Sequence, residues 1–110
     1  KTIHGNSYAD GELAWTSFNS VARYYRKNIA QVNTEGRIHP TQKPITLYQW
    51  IFKNYAEQGQ TILDTHLGSG SIAIAAHNYG MKLTGCELDR EYYEAAYKRF
   101  KTVTSQAKLF

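Results

Sequence analysis

Thr61-Ile62-Leu63-Asp64-Thr65-His66-Leu67-Gly68-Ser69-Gly70 is the stretch whose reading decides the fold. Thr61, Ile62 and Leu63 form a short β-branched and apolar run that predicts a strand ending on an acid, Asp64. Gly68-Ser69-Gly70 then makes a tight turn, and Ile72, Ala75, Ala76 and Tyr79 follow at i, i+3, i+4, i+7, which predicts an amphipathic helix over 71–79. A strand that runs through a glycine turn into a helix gathers backbone N–H groups and the positive helix end around one small cavity. Such a cavity suits a nucleotide-type cofactor, and the acid before the turn bears on which one.

Downstream, Lys82 to Glu87 reads as a second strand. Arg90 to Lys101 reads as a last helix, with Tyr93, Ala96, Tyr97 and Phe100 on one face. Strand, helix and strand in that order predict a parallel sheet. Upstream, Pro44 suits the first turn of a helix in which Leu47, Trp50, Ile51 and Tyr55 recur, and Gly59 stops the run. Nearer the start, Glu12 to Phe18 carries a weak period-2 pattern that predicts one strand. A basic and aromatic stretch, Ser20 to Asn28, and a polar loop to Gly36 come next. There is no internal repeat and no low-complexity segment.

Composition narrows the function classes. The chain has 110 residues, room for one small domain with a modest core. It is 42% hydrophobic but has no long apolar run and no signal peptide, so a soluble globular protein without a membrane partner is expected. Cys86 is the only cysteine, which excludes a disulfide framework within the chain and fits a reducing cytoplasm. His4, His39, His66 and His77 lack zinc spacing, so no metal is expected. A net charge of +4 and a pI near 9.2 lean towards a polyanionic partner.

Gly68-Ser69-Gly70-Ser71-Ile72-Ala73 satisfies G-x-G-x-x-A, and Glu87 closes the next strand. Alone, that pattern serves NAD or FAD equally well. Asp64 discriminates: a carboxylate at the mouth of the turn repels an anionic pyrophosphate. S-adenosylmethionine has no phosphate and carries an ammonium and a sulfonium, so Asp64 can pair with it. The glycines permit close backbone approach, and Glu87 can accept from ribose hydroxyls with either cofactor. The plainer reading is that Asp64 only caps the turn and the glycines only bend the chain.

His39-Pro40-Thr41-Gln42-Lys43-Pro44, then Ile62-Leu63-Asp64-Thr65-His66-Leu67-Gly68-Ser69-Gly70-Ser71, then Gly85 to Phe100 fall in an order that resembles the C-terminal half of β-class DNA amino-methyltransferases. Those enzymes methylate adenine N6 or cytosine N4. The resemblance spans roughly Ile38 to Lys101, with a weaker likeness over Glu12 to Asn19. It implies an α/β chain holding part of a Rossmann-like, S-adenosylmethionine-dependent methyltransferase fold around a parallel sheet. Residues 1–36 would end a catalytic or target-recognition region, and residues 37–110 would form the cofactor-binding region of a longer protein.

Residue by residue, the resemblance implies that Asp64 binds the methionine amino group and that Gly68, Ser69 and Gly70 line the cofactor turn. Glu87 would hold the ribose and Leu88 pack on the adenine. Thr41, Gln42 and Lys43 would approach the methionine carboxylate, Lys43 as its charge partner. Thr65-His66 stands where the family often has Pro-Phe, so His66 would stack there or contact the cofactor through a ring nitrogen. The family's catalytic motif, (D/N/S)PP(Y/F/W), is absent: the only prolines are Pro40 and Pro44, which are not adjacent. No catalytic residue is therefore expected in this chain, and the chain alone is expected to be inactive. The whole protein would be a cytoplasmic, bacterial or phage-encoded enzyme of DNA methylation and restriction-modification. Its partners would be DNA and the rest of the parent methyltransferase, with adenine the expected target.

Lesser signals remain. Arg23, Arg26 and Lys27, interleaved with Tyr24 and Tyr25, could contact DNA phosphates or simply form a solvated basic loop. His77 and Cys86 read as packing residues, and Lys98, Arg99 and Lys101 as cations complementing the helix dipole. Gln106 to Phe110 resembles short peptides that dock into bacterial sliding clamps. Two other classes stay open at this level: a non-catalytic module that binds cofactor or DNA, and a dinucleotide-dependent oxidoreductase.

Overall fold

The computed structural model describes residues 11–26, 38 and 42–107. Their regular elements are α1 (Ile45–Tyr55), β1 (Thr61–Asp64), α2 (Ser71–Tyr79), β2 (Lys82–Gly85) and α3 (Arg90–Ala107). β1 and β2 pair in parallel, with Thr61 opposite Lys82, Ile62 opposite Leu83, Leu63 opposite Thr84 and Asp64 opposite Gly85. α2 is the crossover between them, so the α/β class and the parallel sheet expected from the sequence are both present.

Strand alternation sets the two faces of this sheet. Ile62 and Leu83 point to the helical side, where they join Phe52 of α1, Ile72, Ala75 and Ala76 of α2, and Met81. Ile45, Tyr48, Ile51, Leu67 and Tyr79 complete this cluster from its edge. Thr61, Leu63, Lys82 and Thr84 point the other way and are exposed; Leu63 is 65% exposed. Among the described residues, then, the parallel sheet is covered on one face only.

Local chemistry explains the boundaries. Pro44, extended at φ −69° and ψ 146°, is the N-cap of α1 rather than its first helical residue. α1 ends at Tyr55, earlier than Gly59, and Gly59 (φ 87°) serves the turn into β1. α2 spans 71–79 as expected and stops at Gly80, whose φ of 78° is a left-handed cap. β2 stops at Gly85, two residues short of Glu87. α3 runs to Ala107, well beyond Lys101, so Lys98, Arg99 and Lys101 lie inside the helix and the last turn has no basic residue.

The expected strand over 12–18 does not form. Residues 11–26 carry no regular element, and Leu13, Trp15, Phe18, Val21 and Tyr24 are all exposed. The segment is held against α1 by side chains instead. Phe18 packs on Tyr55 at 5.4 Å, Tyr25 packs on Trp50 at 5.7 Å and bonds Thr46 through its hydroxyl, and Arg23 donates to Asn54 Oδ1 at 3.1 Å. A strand requires a ladder partner for its N–H and C=O groups, and none of the described residues supplies one.

Candidate functional site

Because β1 and β2 are parallel and in register, their carboxyl ends meet at one edge of the sheet, with Asp64 beside Gly85 and Glu87 just beyond. In open α/β sheets that edge is where ligands bind. The segment from Thr65 to Gly70 folds over it. Gly68 has φ 58° and Gly70 φ 78°, both in the left-handed region that suits glycine. Gly70 is also the N-cap of α2, and no side chain caps that end. The first turn of α2 thus presents N–H groups and a positive dipole end at the turn, as the sequence suggested.

Asp64 is half-buried at the end of β1, and its Oδ1 accepts from the His66 N–H at 2.9 Å. It therefore does cap the turn. A carboxylate has about four acceptor positions, so a cap leaves room for an ammonium. His66 is exposed beside it, its Nδ1 engaged with Thr65 Oγ1 at 2.8 Å. Glu87 is half-buried and clamps backbone with both oxygens: Oε1 accepts from the Gly68 N–H at 2.7 Å and Oε2 from the Asp89 N–H at 3.0 Å. These bonds orient the carboxylate next to the turn. Leu88, next to Glu87, is fully exposed.

α1 reaches the same edge through Tyr48. Tyr48, in the N-terminal half of α1, has its hydroxyl pushed above the ordinary tyrosine value of 10.0, first by burial and then by the negative charge of Asp64. Gln42 is buried, its Oε1 accepting the Ile38 N–H at 2.9 Å. Lys43 forms a surface ion pair with Glu12 at 2.9 Å, with side-chain exposures of 38% and 80%. Its ammonium is thus paired within the chain, although an exposed pair of this kind is weak enough to open for a stronger partner. Thr41 lies outside the described residues.

Of the basic stretch, Arg23 is anchored on α1 through Asn54 and lies 5.6 Å over the Tyr55 ring. Arg26 is exposed, and Lys27 lies outside the described residues. Cys86 and His77, expected to pack, have exposed side chains. His77 nevertheless contacts Phe100 edge-on at 5.8 Å. The tail from Lys108 to Phe110 is outside the described residues, and Gln106 is exposed near the end of α3. No group of three or more His, Cys, Asp or Glu among the described residues could hold a metal, and no helix there is long and apolar enough to cross a membrane.

An open groove of about 310 Å³ runs between α2, β2 and α3, lined by Ala73, Met81, Leu83, Tyr93, Tyr97 and Phe100 among others. It includes neither Asp64 nor Glu87, but it reaches the glycine turn and the end of β2 through Leu67, Gly70 and Gly85. The sequence places Tyr93, Tyr97 and Phe100 on one helical face. That face forms a groove wall, with Tyr93 and Tyr97 exposed and stacked at 6.4 Å and Phe100 half-buried.

Sequence reasoning missed two contributors: Tyr48 beside Asp64, and Arg99 behind the glycine turn. Arg99 stands three residues after Ala96 on α3, and i, i+3 neighbours share a face. A charged residue flanking an apolar stripe was the available signal.

Residues 6–98 match the family pattern of N6/N4 DNA methylases. A putative methylase, YubD, of Escherichia coli K12 is 36% identical over 67 residues, 61% of this chain and 30% of its own. The type II methyltransferase M.BglII of Bacillus subtilis is 32% identical over 72 residues, 66% of this chain and 20% of its own. The chain thus spans less than a third of the length of these relatives. Among solved structures, M1.HpyAVI in complex with SAM superposes with a TM-score of 0.57 at 34% identity, covering 59% of this chain and 32% of that one. A putative DNA modification methylase from Thermus thermophilus, complexed with S-adenosyl-L-methionine, shares the fold over 88% of this chain and 48% of its own, at a TM-score of 0.50 and 23% identity. The strand ends, the acid-led glycine turn and the match over most of the chain converge: this chain belongs to the N6/N4 DNA methylase family.

Proposed function

We propose that this chain is the cofactor-holding part of a site-specific DNA methyltransferase, with residues 37–110 binding S-adenosylmethionine. The observation that carries the reading is the meeting of Asp64, the Gly68–Gly70 turn and Glu87 at the carboxyl ends of two parallel strands. Asp64 pairs with the methionine ammonium. The turn admits the methionine and ribose close to backbone, Glu87 accepts from the ribose hydroxyls, and Leu88 lies on the adenine. His66 borders the methionine end. Gln42 and Lys43, with Thr41 before them, meet the methionine carboxylate, Lys43 by exchanging Glu12 for it. The cofactor-bound relative and the anion-repelling place of Asp64 both favour this cofactor over a dinucleotide.

The group supplies an electrophilic methyl on its sulfonium. In the whole enzyme the target base would leave the duplex and its exocyclic amine would take that methyl in line, with S-adenosylhomocysteine as the leaving group and loss of one amine proton. Adenine N6 is the proposed target, with cytosine N4 the alternative amine. The residues that accept the amine protons belong to a DPPY-type motif that this chain does not contain. Arg23 and Arg26, with Lys27, are proposed phosphate contacts. A non-catalytic cofactor- or DNA-binding module would use the same site.

Two measurements test this. Calorimetric titration should show S-adenosylhomocysteine binding and no NAD binding; the reverse would overturn the cofactor assignment. Incubation with methyl-labelled cofactor and duplex DNA should show no turnover by this chain alone. Turnover would overturn the division of labour between this chain and a separate catalytic segment.

A further inference from the structure

The glycine turn is held from behind, residue by residue, by the segment that runs from β2 into α3. Leu67 donates its N–H to the Cys86 carbonyl at 2.8 Å, and Gly68 donates to Glu87 Oε1 at 2.7 Å. Gly70 faces Ala96, whose Cβ lies 3.1 Å from where a Gly70 Cβ would stand. The remaining residue, Ser69, is held by Arg99. Its Nη1 donates to the Ser69 carbonyl at 3.1 Å and to Ser71 Oγ at 2.9 Å, and reaches Ser69 Oγ at 3.4 Å. Ser69 and Ser71 are buried, and the two hydroxyls lie 3.2 Å apart.

This contact has a specific mechanical consequence. The Ser69 carbonyl and the Gly70 N–H belong to one planar peptide and point in opposite directions. Arg99 fixes the carbonyl end, and Gly70 N–H donates to the Leu67 carbonyl at 3.0 Å at the other end. The peptide is therefore pinned on both sides and cannot flip. Electrostatics alone would not place Arg99 there, since a guanidinium beside the N-terminal end of α2 faces the positive end of that helix's dipole. A carbonyl and two hydroxyls compensate for it.

We propose that Arg99 is a positioning residue for the cofactor site: by pinning the Ser69–Gly70 peptide it keeps the turn in the shape that receives the ligand. It touches no cofactor itself. The inference rests on the cofactor reading above, and it makes the affinity of the front of the turn depend on a side chain from the helix behind it.

The test uses the full 110-residue chain. S-adenosylhomocysteine is titrated into wild type, Arg99→Ala, Arg99→Lys, Ser71→Ala and Thr104→Val, and thermal unfolding is recorded for each. Thr104 is buried on α3 and its hydroxyl bonds its own helix at the Phe100 and Lys101 carbonyls, so its variant removes a buried hydrogen bond of α3 that does not touch the turn. Arg99→Ala should weaken binding about tenfold or more, the loss expected for a charged hydrogen bond. Arg99→Lys, which restores one donor, should recover part of it, and Thr104→Val should stay within about twofold of wild type. Equal losses in Arg99→Ala and Thr104→Val, or no loss in Arg99→Ala, would overturn the proposal. If Arg99→Ala does not fold, Ser71→Ala and Arg99→Lys must still weaken binding more than Thr104→Val. Amide hydrogen exchange separates this inference from the cofactor reading. In the Arg99 and Ser71 variants the Gly70 amide should exchange faster, while the Cys86 amide, held by the Asp64 carbonyl at 2.8 Å, does not. If wild type binds no S-adenosylhomocysteine the cofactor reading falls, and unchanged Gly70 exchange would overturn the pinning independently.

Discussion

Replacing Gly70 by alanine challenges the turn at its tightest point, and two separable costs follow from the structure. The first is conformational: at φ 78° an L-residue with a Cβ is strained by roughly 1–2 kcal/mol. The second is steric. The new Cβ would stand 3.1 Å from Ala96 Cβ, with the Ala96 Cα and carbonyl at 3.6 Å, so α3 must shift or strain. Overpacking of this kind costs about 1–3 kcal/mol. The sum, about 2–5 kcal/mol, lowers the melting temperature by about 4–8 °C per kcal/mol in a domain of this size. Urea unfolding of Gly70→Ala, Ala96→Gly and the double variant separates the two terms. Ala96→Gly alone costs about 1 kcal/mol of helix propensity, but in the double variant it removes the clash and leaves the dihedral strain. The double variant should therefore be more stable than the sum of the singles by about 1–3 kcal/mol. Strict additivity, or a Gly70→Ala variant within about 0.5 kcal/mol of wild type, would refute the close approach of α3 to the turn.

Asp64→Asn keeps an oxygen for the His66 N–H but removes the charge, so the turn should persist while S-adenosylhomocysteine binding falls about tenfold to a hundredfold by calorimetry. Unchanged affinity would remove Asp64 from the ammonium site. Tyr48 has a raised folded-state value, so its unfolded hydroxyl ionises first as pH rises. The stability it contributes is complete below pH 10.0 and is lost as pH climbs through the folded value. Urea midpoints measured from about pH 8 to about pH 11 should fall less steeply above pH 10 in Tyr48→Phe than in wild type. Parallel curves would contradict the burial of Tyr48 beside Asp64.

The elements legible in the sequence are those whose determinants lie within a few residues of one another. β1 and α2 form at the expected bounds because a β-branched run, a glycine turn, a 3.6-residue period and Gly80 are each local signals. The parallel pairing was legible too, since a helix between two strands leaves no short antiparallel alternative. The strand expected over 12–18 was not, because alternation says nothing about a ladder partner, and here only side-chain contacts with α1 hold the segment. The length of α3 was underestimated because basic residues at 98–101 resemble a helix end, whereas Arg99 is occupied sideways, by Ser69 and Ser71.

For the site itself, the order of acid, glycine turn and second acid was written in the chain, and so was the family to which that order points. What sequence could not supply is how those groups are held. Glu87 reaches 19 positions back to the Gly68 N–H, Arg99 reaches 30 back to Ser69, and Lys43 turns 31 back to Glu12. Such contacts depend on where whole helices pack, and no local spacing encodes them. Sequence alone determined the chemistry offered at the strand ends. Tertiary structure decided its rigidity and pairing, because a carboxylate, a guanidinium and a peptide plane take their orientation from partners that only folding brings within about 3 Å.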